Sequence, residues 1–511
     1  MISEFNIDCL IKIFETLEND HKSLHSCVLV NKLWCQYAIP KLWKSPWRNG
    51  ERVSSQVSLI KTYISAFPKE SKEILIENGF ESSSIESNKS QRQIFNYMSF
   101  LRNLQIYHLE SSIRHWLIET LNNKSISEYN KLSEYKSRLL IKEFFKFIFT
   151  QSPNLYVLNA SSTYRNYDLL TDAIENIPQA KTCLSMLTRF KCYKTISIEM
   201  KLYPAISKIC HNIKRLHVGQ VEISKDLILL INSQKDLKEI IIEKHFGMKL
   251  NNNPPSLNSK ENEICSLNLK KSSSITYLEF KAIYFNIQLL PKFENLRELK
   301  VKANGSGIYS KEQLEPLLNV SLKKLEVFYW ECKHSIYLEI FSKFFLLNGQ
   351  NLRKITIGAR LFIDVNNSGL LLNSIAITCL NLQYYEGPIM EDNIIEFRKL
   401  LELCKNLKIL RLCPSREDRK SLWVIPKQIY FDDLLDVITF VSPRSLTELR
   451  LVDTWTISLE PFKNFLLSRK LLEIPIEFYC NPSIIILTKF EEICNEYQSI
   501  LKFDINEYKL K

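Results

Sequence analysis

Glycine is scarce in this chain, at 10 of 511 residues. That shortage excludes the common phosphate-cradling loops, and neither G-x-G-x-x-G nor G-x-x-x-x-G-K occurs. The 13 cysteines are scattered, with no C-x-x-C pair and no Cys/His spacing of a zinc site. No apolar run approaches the roughly eighteen residues that a membrane-spanning helix needs. No run of five or six like charges occurs either: 68 basic residues are interleaved with 56 acidic ones. The formal charge of +12 is therefore spread out, which argues against a nucleic-acid partner. Residues Met1 to Asp8 are acidic where a signal peptide would be basic. With the odd cysteine count, this gives the expectation of reduced thiols in the cytoplasm or nucleus.

What the chain does have is apolar surface, 45% hydrophobic residues against 24% charged. Near the N-terminus, Asn6 is a candidate helix cap with Asp8 in the first turn, where the helix dipole favours a carboxylate. Leu10, Ile13, Phe14 and Leu17 follow at i, i+3, i+4 and i+7, one face of a helix. A second apolar cluster holds Leu24, Val28, Leu29 and Val30. A third stripe, capped by Asn31, holds Leu33, Trp34, Tyr37 and Ala38 and is expected to break before Pro40. Leu42, Trp43 and Trp47 close the segment. A unit of about 40–60 residues buries too little surface to be stable alone. This one carries more large apolar side chains than three short helices hide among themselves, so it must pack on another part of the chain or on a partner.

The runs Phe5-Asn6-Ile7-Asp8-Cys9-Leu10-Ile11-Lys12-Ile13-Phe14, Leu24 through Val30-Asn31-Lys32-Leu33-Trp34, and Leu42-Trp43 resemble an F-box. The chain departs from the family at Asn6, usually proline, and at Cys9, usually leucine or isoleucine. The resemblance implies an all-α three-helix F-box over 1–47 that docks on the Skp adaptor of a cullin-based ubiquitin ligase. Phe5, Ile7, Leu10, Ile13, Phe14, Leu17, Leu29, Val30 and Trp34 would then be the adaptor-binding residues.

Farther along, L-x-x-L-x-L, with other apolar residues substituting, begins at Leu155, Leu187, Ile213, Leu237, Ile275, Leu296, Leu322, Leu352, Leu382, Leu407, Leu446 and Leu471. The mean interval is about 29 residues, the upper edge of leucine-rich-repeat periods. The residue before the first apolar position is Asn154, Asn212, Asn295, Asn351, Asn381 or Asn406 in six repeats, and Asp236, Ser274, Ser321 or Ser445 in four more. Small polar turn-formers at one fixed place fit a tight turn feeding a short strand. Three of these turns read Cys-x-Asn, at Cys210, Cys379 and Cys404, and resemble the cysteine-containing leucine-rich repeats attached to many F-boxes. Of the later repeat asparagine, only Asn304 survives. Tyr385 and Gly387 make the Leu382 repeat degenerate, and Gly305-Ser306-Gly307 reads as a turn.

The expected fold is an α/β solenoid, an irregular leucine-rich-repeat horseshoe over 151–511, behind an N-terminal all-α three-helix F-box. A linker and helical cap occupy 48–150, and residues 78–93, with five serines and four charges, are the expected flexible stretch. Asn251-Asn252-Asn253-Pro254-Pro255 marks a surface loop. The residue between the last two apolar strand positions points away from the helices. These are His217, Ile241, Glu279, Lys300, Glu326, Thr356, Glu386, Arg411 and Arg450, with alternating signs that suit a protein partner. Lys300, Arg411 and Arg450 are the substrate-binding candidates, able to grip a carboxylate or phosphopeptide. No catalytic, cofactor-binding or metal-binding residue is expected. A non-catalytic substrate receptor for an unknown protein target is the leading expectation, and a leucine-rich-repeat scaffold without a ubiquitin role is the alternative.

Overall fold

The computed structural model describes residues 7–18, 20–47, 52–86, 94–120, 126–162, 166–193, 201–219, 225–243, 272–281, 287–303, 309–332, 337–359, 367–414, 430–452, 455–479 and 493–504. Phe5, Asn6, the 251–255 loop and the 304–307 turn lie outside them. Two compact units divide at Leu237 and Lys238.

The first unit opens with helices α1 (Ile7–Thr16), α2 (His21–Val28) and α3 (Lys32–Leu42). The side chain of Asp20 caps α2 by accepting from the Ser23 amide at 3.1 Å, and Asn31 caps α3 by accepting from the Trp34 amide at 2.9 Å. Leu10, Phe14, Leu24, Cys27 and Ala38 form the centre of this bundle. Leu17, Val28, Trp34, Tyr37 and Leu42 pack around it, with the Phe14 and Trp34 rings meeting edge-on at 5.6 Å. The third helix does not stop before Pro40 as expected. It runs through the proline to Leu42, where burial of Ile39 and a Trp43 amide bond to the Ile39 carbonyl at 2.9 Å hold the last turn.

Helices α4 (Val53–Ser65), α5 (Lys69–Glu77) and α6 (Ser82–Ile85) follow. The stretch expected to be flexible is folded where it is described, at 78–86. Gly79, at φ +80°, ends α5: its amide bonds the Ile76 carbonyl and the Phe80 amide the Leu75 carbonyl, the two-bond stop that a left-handed glycine allows. Phe80 and Ile85 are buried, and the Phe80 ring stacks on Trp116 at 6.1 Å. Buried aromatics, not polarity, decide that segment. Next come strand β1 (Asn103–Gln105) and helices α7 (Ile106–Thr120) and α8 (Ile126–Gln151). The first strand therefore stands well ahead of residue 151.

The remainder of this unit alternates β2 (Val157–Asn159), α9 (Tyr167–Asn176), α10 (Pro178–Leu184), β3 (Arg189–Tyr193), α11 (Leu202–Ile209), β4 (Arg215–Gly219) and α12 (Lys225–Ser233). Strands β1 to β4 pair in parallel, each with its successor. A backbone ladder runs beside them: one carbonyl per turn accepts two successive amides of the next turn. Its acceptors are Lys44, Arg102, Tyr156 and Thr188, so the first rung is the turn leaving α3.

The second unit is ten parallel strands paired in sequence order, with helices between them. They are β5 (Glu239–Glu243), β6 (Tyr277–Lys281), β7 (Glu298–Ala303), α13 (Lys311–Leu314), β8 (Val327–Cys332), α14 (Leu338–Asn348), β9 (Lys354–Ala359), α15 (Ser368–Thr378), β10 (Tyr384–Ile389), α16 (Ile394–Leu403), β11 (Ile409–Pro414), α17 (Asp432–Val441), β12 (Glu448–Leu451), α18 (Leu459–Leu471), β13 (Ile476–Tyr479) and β14 (Leu501–Asp504). Alternate strand residues are buried under the helices. Phe328 of β8, for example, meets Phe341, Phe344 and Phe345 of α14 at ring distances of 5.7, 5.3 and 5.2 Å.

Ten of the twelve expected repeat starts lead into strands at the expected step. Leu322 is buried but three residues early, because β8 aligns Phe328 with Leu299 and makes Leu325 the equivalent position. Leu471 is 76% exposed at the end of α18, and the strand begins only at Ile476.

The turn asparagines have a shared job. Asn212, Asn295, Asn351 and Asn381 each donate from the side chain to a backbone carbonyl of the preceding turn, at 3.0, 2.7, 2.7 and 3.1 Å. Buried polar side chains make a second set of hooks. Cys210 donates to the Leu184 carbonyl at 3.3 Å, Cys404 to the Cys379 carbonyl at 3.5 Å and Asn348 to the Val320 carbonyl at 2.9 Å. Burial pushes the thiols of Cys210, Cys379 and Cys404 up to about 12, so they stay protonated donors.

Candidate functional site

Two surfaces carry the sequence candidates. The first is on the N-terminal bundle. Of the residues expected there, Ile7, Leu29 and Val30 face outward, with 48%, 75% and 56% exposure, and Leu33, named in the third stripe but not among the adaptor-binding residues, joins them at 40%. Leu10 and Phe14 are fully buried. They form the bundle's own centre and shape the outer face without being part of it. Ile13 is half-buried, Leu17 and Trp34 pack against the centre, and Phe5 lies outside the described residues.

The bundle's other side is closed. Trp43 stacks on Tyr97 with ring centroids 4.0 Å apart and meets Tyr63 edge-on, while Trp47 is buried beside Tyr63 at 5.4 Å. Lys41 pairs with Glu15 at 3.7 Å, and Lys44 with Glu18. What remains exposed and apolar is Ile7 at the start of α1, Leu29 and Val30 at the α2–α3 turn and Leu33 at the start of α3. Single exposed apolar side chains are ordinary, but four large ones on a bundle this small are more than its size calls for.

The second surface is the sheet face of the second unit that the helices do not cover. Strand register places Ile241, Glu279, Lys300, Tyr329, Thr356, Glu386, Arg411, Arg450 and Tyr479 in one row across β5 to β13. Tyr329 takes the place expected for Glu326, which sits just before β8. Arg411 and Arg450 are cross-strand neighbours. Lys300 is four strands from Arg411, about 19 Å at the usual strand spacing, so the three cations do not make one clamp.

Each candidate cation is also engaged. Lys300 pairs with Glu298 at 2.9 Å and lies 4.7 Å over the Tyr277 ring. Arg411 and Arg450 share Glu448, at 3.0 and 3.4 Å. Arg411 lies 5.3 Å over Tyr384, and Arg450 lies 4.2 Å over Tyr479.

The tyrosines follow a rule of their own. Tyr277 donates to Glu279 at 2.8 Å, Tyr329 to Glu331 at 2.5 Å, Tyr384 to Glu386, and Tyr479 to Glu477 at 2.8 Å, each two residues away on its own strand. A cation from a neighbouring strand then covers the ring. Burial pushes the Glu279 carboxyl up, but the Tyr277 phenol and the Lys281 and Lys302 ammoniums outweigh it and leave the group below its usual value. Burial and the adjacent carboxylates push the phenols of Tyr277, Tyr329 and Tyr384 well up, so they remain donors. The face is thus a self-neutralised plate of tyrosine, carboxylate and cation. Tyrosine and arginine are the residue types that carry binding energy at protein interfaces. The signal was present in the sequence as Tyr-x-Glu triplets, of which three of the four, at Tyr277, Tyr329 and Tyr384, lie on strands, and as the reverse at Glu477.

Among the described residues no group of histidine, cysteine, aspartate or glutamate side chains could hold a metal ion, and no helix is long and apolar enough to cross a membrane. No family model matches the chain, and no curated protein matches it. Among solved structures, it is similar to one titled the crystal structure of the Rad7 and Elc1 complex in yeast. The TM-score is 0.39 and the identity 12%, over 69% of this chain and 90% of that one.

Proposed function

We propose that this chain is the substrate-recognition subunit of a Skp-cullin-F-box ubiquitin ligase, non-catalytic itself. Its N-terminal bundle docks on the Skp adaptor, and its leucine-rich repeats hold a protein target. The observation that carries the reading is the exposure of Ile7, Leu29, Val30 and Leu33 on helices whose sequence resembles an F-box. The chain would act by proximity: tethering a target raises the effective concentration of its lysines near the ubiquitin carrier. It would work in the cytoplasm or nucleus, without a cofactor and without nucleic acid.

A second reading has its own support. The turn after α3 supplies the first carbonyl of the backbone ladder, at Lys44, as a cap on a repeat array would. In that reading the bundle only closes a scaffold with no ubiquitin role. Co-purification of the full chain with the Skp adaptor separates the two. Under the ligase reading the wild type binds, and Leu29→Asp with Val30→Asp, both on the surface, abolishes binding while the circular dichroism spectrum is unchanged. Wild-type chain that fails to bind the adaptor leaves the scaffold.

A further inference from the structure

The second unit has another surface, at the edge where the chain enters its strands. We propose that this rim, from Arg297 to Lys408, is a docking surface for an extended acidic polypeptide. The backbone ladder defines its geometry. The carbonyls of Lys238, Thr276, Arg297, Glu326, Arg353, Gln383, Lys408 and Thr447 accept amides from successive turns, at 2.7 to 3.1 Å. Their side chains therefore stand one rung apart, just ahead of β5 to β12.

Arg297, Arg353 and Lys408 are exposed and occupy alternate rungs. Exposed Lys323, Lys324 and Lys405 flank them. Between Arg297 and Arg353 lies a cleft of about 290 Å³ lined by Arg297, Lys324, Glu326, Asn351 and Arg353, three cations to one carboxylate. Glu326 pairs with Arg297 at 2.7 Å. Arg353 and Lys408 have no ion-pair partner among the described residues. The contrast with the sheet face is sharp, because there Lys300, Arg411 and Arg450 are all paired.

Spacing and chemistry choose the ligand. Strands lie about 4.8 Å apart, so cations on alternate rungs stand about 10 Å apart, close to one three-residue turn of a polyproline II chain. A peptide in the polyproline II conformation, with three residues to the turn, presents a carboxylate at every third position on one face and meets each of them, and its backbone amides can donate to Glu326. A nucleic-acid strand fits less well. Its phosphates cannot skip the Glu326 carboxylate, and the rim row from Thr276 to Thr447 holds no aromatic ring on which a base could stack.

The test uses the full chain and a fluorescein-labelled peptide with glutamate at every third position in a serine and glycine background, followed by anisotropy at low and at physiological salt. The expected result is binding that weakens with salt. It falls at least about fivefold in Arg353→Glu with Lys408→Glu, as reversal of two surface charges requires, and is unchanged in Lys343→Glu on the exposed side of α14. The milder Arg353→Gln with Lys408→Gln should fall in between, and thermal melts show that each variant is folded. Equal binding by the double variant, or by a peptide with glutamine in place of glutamate, overturns the proposal. So does an oligothymidylate that binds more tightly and displaces the peptide. Leu29→Asp with Val30→Asp leaves peptide binding intact, so failure of the rim and failure of adaptor docking are read separately.

Discussion

Gly387 shows how one small residue repairs a repeat that looks broken. The inward position two residues earlier, which most repeats fill with an aliphatic side chain, is Tyr385, fully buried. Its hydroxyl donates to the Pro388 carbonyl at 3.3 Å, so the ring lies along the strand and covers the next inward place. A Cβ on Gly387 would stand 2.5 Å from that hydroxyl. Tyrosine and glycine together thus occupy the volume of two ordinary core residues. Gly387→Val is expected to destabilise the chain by about 1–3 kcal/mol through overpacking. Adding Tyr385→Leu should restore most of the loss, since the pair then reads as an ordinary repeat. Thermal melts of the two single variants and the double variant measure this, and additive effects would contradict the coupling.

At the scale of one strand and its helix, stability passes from each repeat to its neighbour through a few buried hooks. Asn348, at the end of α14, accepts from the Leu322 amide at 2.5 Å and donates to the carbonyls of Val320 and Phe344 at 2.9 Å each. Asn348→Leu keeps the bulk and leaves the Leu322 amide and the Val320 carbonyl without that partner in a dry place. The expected cost is about 1–3 kcal/mol for each orphaned group, read as a lower midpoint in urea. Cys404→Ala should cost less, because a thiol is a weak donor. These hooks explain what was legible in the sequence. A turn asparagine must reach a carbonyl one repeat back, so its position is strict and the repeats could be counted from it. At one turn the count slipped: Lys324 stands at the asparagine place before Leu325, and Ser321, three residues earlier, mimics it. Strands β1, β13 and β14 lacked the signal and were missed or misplaced. The site was harder still. An apolar face reads the same whether it points inward or outward, so Leu10 and Phe14 were indistinguishable from Leu29 and Val30 until the helices were packed. The ion pairs that cross strands on the sheet face, such as Arg411 with Glu448 and Lys302 with Glu279, join distant parts of the chain and leave no local pattern.

Across the whole first unit, the N-terminal bundle is more than an appendage. A strand at the edge of a sheet offers unpaired amides to any other strand it meets. At β1 that invitation is withdrawn: the amides of Arg102 and Asn103 both donate to the Lys44 carbonyl, at 2.9 and 3.0 Å, and Trp47 covers Tyr63 alongside. Trimming the chain back to residue 48 would uncover those donors together with the Tyr63 and Tyr97 rings. Such a truncated chain is expected to self-associate as its concentration rises, which light scattering would detect against a full-length chain that stays unassociated. The segment that resembles a plug for another protein is at the same time the stopper for its own array. Loss of function on deleting it would mix a lost connection with a leaking end, and only the surface pair Leu29 and Val30 can tell them apart.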